Sequence, residues 1–119
     1  MINLPELSEN LRTLPSRIAF ASAEVEKARF AWDSAVAEYE HQKAKLRLEI
    51  QVQAEKITIP DLDARVTADE KIFKLKMECI KTKSTYKRKE LIRQELEDLF
   101  VSLRKIGELN KTELRTLGG

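Results

Sequence analysis

From Ser16 to Ile57 the residues Ile18, Ala21, Val25, Ala28, Trp32, Ala35, Tyr39, Gln42 and Leu46 recur in alternating steps of three and four. That spacing holds one face of an α-helix against a partner helix, so it predicts a long helix with a heptad seam. Ser16 supplies an N-cap at its start. Ala21, Ala28 and Ala35 alternate with the larger Val25, Trp32 and Tyr39, an unevenness that brings a partner close and favours one register. Between Leu46 and Val52 the apolar positions alternate by two, which alone would suit a strand. No turn signal separates them from the helical pattern, so the prediction is helix.

The stretch from Thr67 to Leu114 predicts a second long helix. Ile72, Leu75, Cys79, Tyr86, Leu96, Leu99, Leu103 and Ile106 fall on one broad face, widened by Phe73, Met77, Ile80, Leu91 and Phe100. Neither stretch contains proline, and Gly107 is the only glycine in either. Between them, Thr58-Ile-Pro-Asp61 starts a short helix through Val66, with Pro in its first turn. Thr67-Ala-Asp-Glu70 then fits a capping box for the second arm. Near the N-terminus, Leu4, Leu7, Leu11 and Leu14 predict a short amphipathic segment that ends before Pro15. A helix this short holds only if docked, so the segment reads equally as a clip and as a frayed end.

The expected fold is therefore all-α: a long antiparallel, coiled-coil-like helical hairpin in a single domain, 1–119. It divides into an N-terminal clip (1–15), a first long helix (16–57), a turn with a short helix (58–66) and a second long helix (67–115). Pairing the arms about that turn sets the polar stretch Lys81 to Glu90 opposite Tyr39, Glu40, His41 and Lys43. One hairpin seam cannot cover Trp32, Leu96, Leu99, Phe100 and Leu103 together, so a homo-oligomer is expected.

Composition fits this picture, with 42% hydrophobic and 35% charged residues among 119. No apolar stretch approaches the roughly 18 residues of a membrane span, and Met1 to Pro15 lacks the pattern of a signal peptide. The expectation is a cytoplasmic protein with no membrane partner. Cys79 is the only cysteine, which excludes an internal disulfide, and is expected to pack as a small apolar side chain. His41 is the only histidine, and there is no glycine-rich phosphate loop. No catalytic residue, metal site or cofactor is expected, and Glu38, Glu40 and His41 read as a solvated helix face.

The net charge of +2 conceals one basic run. Lys71, Lys74, Lys76, Lys81, Lys83, Lys87, Arg88, Lys89 and Arg93 are set against only Glu78 and Glu90. Helical spacing brings Lys76, Lys83 and Lys87 to one side and Lys81, Arg88 and Lys89 nearer another, a stripe suited to a phosphate backbone. Tyr86 among them is placed to stack on a base, worth about 1 to 3 kcal/mol. Lys74, Lys76, Lys81, Lys83, Tyr86, Lys87, Arg88 and Lys89 are thus the candidate nucleic-acid-binding residues. Lys43, Lys45 and Arg47, with Lys56 beyond, extend the surface on the first arm. The same lysines read equally as a solvated flank paired with acids of another helix.

The lysine-rich first arm Lys43-Ala-Lys-Leu-Arg-Leu-Glu49, the break, and the second arm from Asp69-Glu-Lys-Ile-Phe-Lys-Leu-Lys76 through Tyr86 to Leu103-Arg-Lys-Ile106 resemble the bacteriophage T4-type recombination mediators, the UvsY-like family. The resemblance covers most of the chain beyond Ala37. It implies a non-enzymatic homo-oligomer that binds single-stranded DNA and helps load a RecA-like recombinase by displacing single-strand-binding protein. It also implies DNA contact by basic residues near the turn, here Lys43, Lys45, Arg47 and Lys56. Two other readings stand beside it: a structural coiled-coil adaptor between proteins, and a phage inhibitor of a host nucleic-acid enzyme.

Overall fold

The computed structural model describes residues 4–118, with side chains described to Thr112. Met1 to Asn3 of the expected clip, and the side chain of Leu114 that closes the second apolar stretch, lie outside the described residues. The protein is all-α, a helical hairpin built from α1 (Leu4–Gln53), α2 (Ile59–Ala68) and α3 (Glu70–Gly118), with no strand among the described residues. Contacts divide it into two units. The terminal unit comprises Met1–Glu26 and Arg88–Gly119, and the turn unit comprises Lys27–Lys87.

In the terminal unit α1 and α3 run antiparallel. Leu11 Cδ1 lies 3.8 Å from where a Cβ on Gly107 would sit, and Glu24 meets Lys89. Leu7, Leu14 and Leu103 are buried, and Leu11, Leu96, Phe100 and Ile106 pack around them. These leucines correct the expected boundary at Pro15: there is no separate clip, Ser16 caps nothing, and Pro15 lies inside α1. The heptad simply continues through it, since Leu7, Leu11, Leu14, Ile18 and Ala21 keep the steps of four and three. Proline in a helix interior removes one hydrogen bond and crowds the carbonyl four residues back, at about 3 kcal/mol. Leu14, with none of its surface exposed, gains about 1.5 to 3 kcal/mol on burial, and its neighbours in the cluster add to that.

In the turn unit Leu62 and Val66 of α2 are buried with Ile72 of α3, and Tyr39, Leu46, Ile50, Ile57 and Leu75 pack around them. The first long helix ends at Gln53 and not at Ile57, because Ile57 leaves the helix to join this cluster. At α2 the expected start holds: the Asp61 amide donates to Thr58 Oγ1 at 3.3 Å, with Pro60 in the first turn. The next cap differs from the expectation. Thr67 belongs to the last turn of α2, and α3 is capped by Asp69, whose Oδ1 accepts from the Ile72 amide at 3.0 Å. Asp69 has an extended backbone and also donates its amide to the Val66 carbonyl at 3.3 Å, so one residue closes α2 and opens α3.

Two further expectations are corrected here. The stretch Lys81 to Glu90 was expected opposite Tyr39, Glu40, His41 and Lys43, but its central Tyr86 lies against Trp32, while Tyr39 packs on the cluster beneath α2. The buried face of α3 is also narrower than expected. Ile72, Leu75, Cys79, Thr82 and Tyr86 line its seam in the turn unit, whereas Phe73, Met77 and Ile80 are exposed by 57%, 46% and 53%.

Candidate functional site

At the end of the turn unit away from α2 the seam between α1 and α3 carries rings and lysines. Trp32 of α1 and Tyr86 of α3 meet with ring centroids 5.4 Å apart and planes tilted by 32°. Lys83 Nζ stands 5.8 Å from the Trp32 centroid, Lys87 Nζ 5.9 Å from Tyr86, and Lys43 Nζ 5.5 Å from Tyr39. Each ammonium is attracted by the negative ring face, worth about 0.5 to 1 kcal/mol where water reaches it, while the lysine stem covers apolar ring surface. Heptad spacing produces this arrangement: Trp32 and Tyr86 hold seam positions, and Lys83 and Lys87 flank Tyr86 on α3. Seam hydroxyls are satisfied within the helix, Thr82 Oγ1 donating to the Glu78 carbonyl at 2.8 Å and the Cys79 carbonyl at 3.1 Å.

The basic run does not form one band. Lys74, Lys76, Lys81, Lys83 and Lys87 are exposed, on the two flanks of α3 in the turn unit. Among the described residues no ion pair engages Lys74, Lys76 or Lys81. Arg88 is exposed in the terminal unit, where Lys89 is half-buried in the seam with its ammonium 3.6 Å from Glu24. Arg93, also in the run, reaches Glu97 at 3.8 Å. Tyr86, expected to stand among the lysines, is half-buried and pairs with Trp32, so its ring also serves the helix pair.

The first-arm group is similarly mixed. Arg47 is bound by Asp63 of α2, and Lys43 is held over Tyr39. Lys45 and Lys56 are exposed; Lys45 lines a shallow hollow shared with Glu49, Asp69 and Lys71, so its charge is partly balanced. What the fold brings together is therefore Lys83 and Lys87 at the ring pair, with Lys76 one heptad before Lys83 on the same flank.

Two exposed apolar surfaces lie outside the seam, one unexpected and one made of residues expected to widen the buried face of α3. In the terminal unit Arg17, Phe20, Ala21, Glu24, Ile92 and Leu96 line a mainly apolar groove of about 460 Å³, with Phe20 69% exposed. Phe20 precedes the seam residue Ala21, and its off-seam position was the available signal. The other surface is the exposed stripe Phe73, Met77, Ile80, which follows its own steps of four and three beside the seam residues Ile72, Leu75 and Cys79.

Cys79 occupies a half-buried seam position, as a small apolar side chain would. Burial, then the nearby Glu40 and Glu78 carboxylates, push its thiol above the usual cysteine range, so the nucleophilic thiolate is disfavoured at neutral pH. Among the described residues no group of three or more His, Cys, Asp or Glu side chains could hold a metal ion, and no helix is long and apolar enough to cross a membrane. No family model, curated protein or solved structure matches the chain.

Proposed function

We propose that this protein is a cytoplasmic, non-enzymatic accessory that binds single-stranded DNA through the exposed lysines of its turn unit. The observation that carries this reading is the convergence of Lys83 and Lys87 on the Trp32–Tyr86 pair, with Lys76 on the same flank. Lysine stems laid along rings have less rotamer freedom to lose when their ammonium groups engage phosphates. Because Tyr86 is committed to the seam, binding is to the phosphate backbone and indifferent to sequence. Lys74 and Lys81 on the other flank take a neighbouring segment of the strand. Copies associate through apolar surface such as the Phe20 groove, which sets several lysine flanks along one strand and raises avidity. The role that fits such a protein, and that its resemblance implies, is a recombination mediator assisting a RecA-like recombinase against single-strand-binding protein.

Titration of a labelled oligothymidylate with the full chain over a range of salt concentrations tests the reading. The logarithm of the affinity is expected to fall linearly with the logarithm of salt, with a slope of about 0.7 per phosphate neutralised. The variant K76S/K83S/K87S is expected to bind at least about tenfold more weakly and with a shallower slope. Absent binding at low salt, or an unchanged titration in that variant, overturns the proposal.

A further inference from the structure

We infer that the outward face of α3 in the turn unit is a docking stripe for an acid-flanked amphipathic helix of a different protein, a function beyond nucleic-acid binding. Phe73, Met77, Ile80 and Ser84 follow a second heptad as d, a, d and a positions, all exposed. In that register Lys74 and Lys81 fall at e, and Lys76 and Lys83 at g, so every e and g position beside the stripe is basic. The α1-facing residues Ile72, Leu75, Cys79, Thr82 and Tyr86 fall at c and f, which directs the second stripe away from the seam already formed. An apolar a/d stripe with charged e and g flanks is the pattern by which helices pair, and the flanking charges select the partner.

Charge complementarity specifies the occupant: a helix with apolar a and d residues and Glu or Asp at e and g. A second copy presenting the same stripe sets lysine against lysine at every flanking pair, so the pattern selects against self-pairing here. A DNA strand meets the lysines but leaves Phe73, Met77 and Ile80 in water. A membrane surface calls for a broader apolar face than one line of residues between two lysine rows. The apolar part of the stripe, Phe73 to Ile80, covers little more than one heptad, so the contact is small and depends on its charges as well as its apolar side chains.

The experiment titrates the full chain into a labelled synthetic four-heptad helix bearing Leu at a and d and Glu at e and g, read by fluorescence anisotropy. A sister helix with Lys at e and g serves as the control. Expected are saturable binding that weakens with salt, no binding of the lysine helix, and at least about a tenfold loss in the variant F73S/M77S/I80S. These three positions are exposed, and circular dichroism verifies that the variant keeps its helix content. The same variant is expected to leave the oligothymidylate titration unchanged, which separates this proposal from the DNA-binding one. Failure of the acidic helix to saturate, equal binding of the lysine helix, or unchanged affinity in the variant overturns the inference. So does capture by phosphatidylserine vesicles that is lost in the variant while the acidic helix fails to bind.

Discussion

The terminal and turn units use the same two helices to opposite ends. In the terminal unit α1 and α3 meet through leucines, with Leu7, Leu14 and Leu103 buried and Leu96 and Phe100 beside them. In the turn unit the buried apolar cluster sits under α2, at Leu62, Val66 and Ile72, and the seam beyond it carries Trp32 and Tyr86 with lysines over the rings. Charge divides similarly. Lys27–Lys87 carries 13 basic and 10 acidic residues, whereas the rest of the chain carries 9 and 10. The difference teaches that a helix pair can be fastened in one region and left available in another: leucines provide adhesion without chemistry, and aromatic seams tolerate cations at their edges. The largest test of this division is truncation within each core. Leu14→Ala and Leu62→Ala are each expected to lose about 2 to 5 kcal/mol by chemical denaturation. Residue-resolved hydrogen exchange is expected to accelerate most around Leu7 to Leu14 in the first variant and around Leu62 to Ile72 in the second. Equal acceleration throughout the chain in both variants would erase the distinction between units.

The hairpin was legible in the sequence because apolar spacing is a local property that survives averaging over many residues. The heptad from Ile18 to Leu46, the Thr58 cap and the helix through Val66 follow from such local chemistry. At Pro15 residue type alone predicts a boundary, because proline is a local veto while the burial of Leu14 is a tertiary gain, and only the structure shows the second outweighing the first. The cap moved from Thr67 to Asp69 for a related reason: both are good capping residues, and the packing of Val66 keeps Thr67 inside α2. For the candidate site, the exposure of Lys74, Lys76, Lys81, Lys83 and Lys87 followed from their number and spacing. The pairing of Lys89 with Glu24, of Arg47 with Asp63 and of Tyr86 with Trp32 did not, since each depends on register between segments distant in sequence.

Pro15 gives the next test, of opposite sign. Its ring leaves the Leu11 carbonyl without the amide partner a helix interior supplies, at a cost of about 3 kcal/mol relative to Ala. Pro15→Ala is therefore expected to stabilise the protein by up to about that amount, with slower exchange concentrated in the terminal unit. A loss of stability would mean that the fixed backbone of proline helps to set the path of α1, and that the leucine cluster is not what holds this segment helical.

Smaller effects are expected at a helix cap in the turn unit and at a glycine in the terminal unit. Asp69→Ala removes the acceptor for the Ile72 amide and is expected to cost about 1 kcal/mol. Gly107→Ala adds a methyl that meets Leu11 Cδ1 at an ordinary 3.8 Å, while relieving the chain of glycine's backbone entropy, and is expected to gain about 0.5 to 1 kcal/mol. Thermal melts followed by Trp32 emission, the only tryptophan in the chain, report the turn unit and should register the Asp69 change clearly. A Gly107→Ala variant less stable than the parent would show that the leucine seam leaves no room at that position.

The smallest expected effect is a pH dependence confined to the terminal unit. Arg12 donates to both carboxylate oxygens of Glu9, at 2.6 Å and 3.2 Å, and these hydrogen bonds, reinforced by its charge, hold the Glu9 carboxyl below the usual glutamate range. A depressed carboxyl pKa means that the folded chain binds the proton less readily than the unfolded one, so the pair stabilises the fold above the ordinary glutamate range. That contribution declines as pH falls and is gone once pH passes below the lowered value. Both side chains lie in water, so the effect on the melt is slight and is screened by salt. The direct measurement is therefore an NMR titration of the Glu9 side-chain carboxyl, with a midpoint below that of a free glutamate in the parent and a return to the ordinary range in Arg12→Ala. A parent midpoint already in the ordinary range would mean that the guanidinium does not hold this carboxylate in solution, and that the leucine contacts fasten the first turns of α1 without its help.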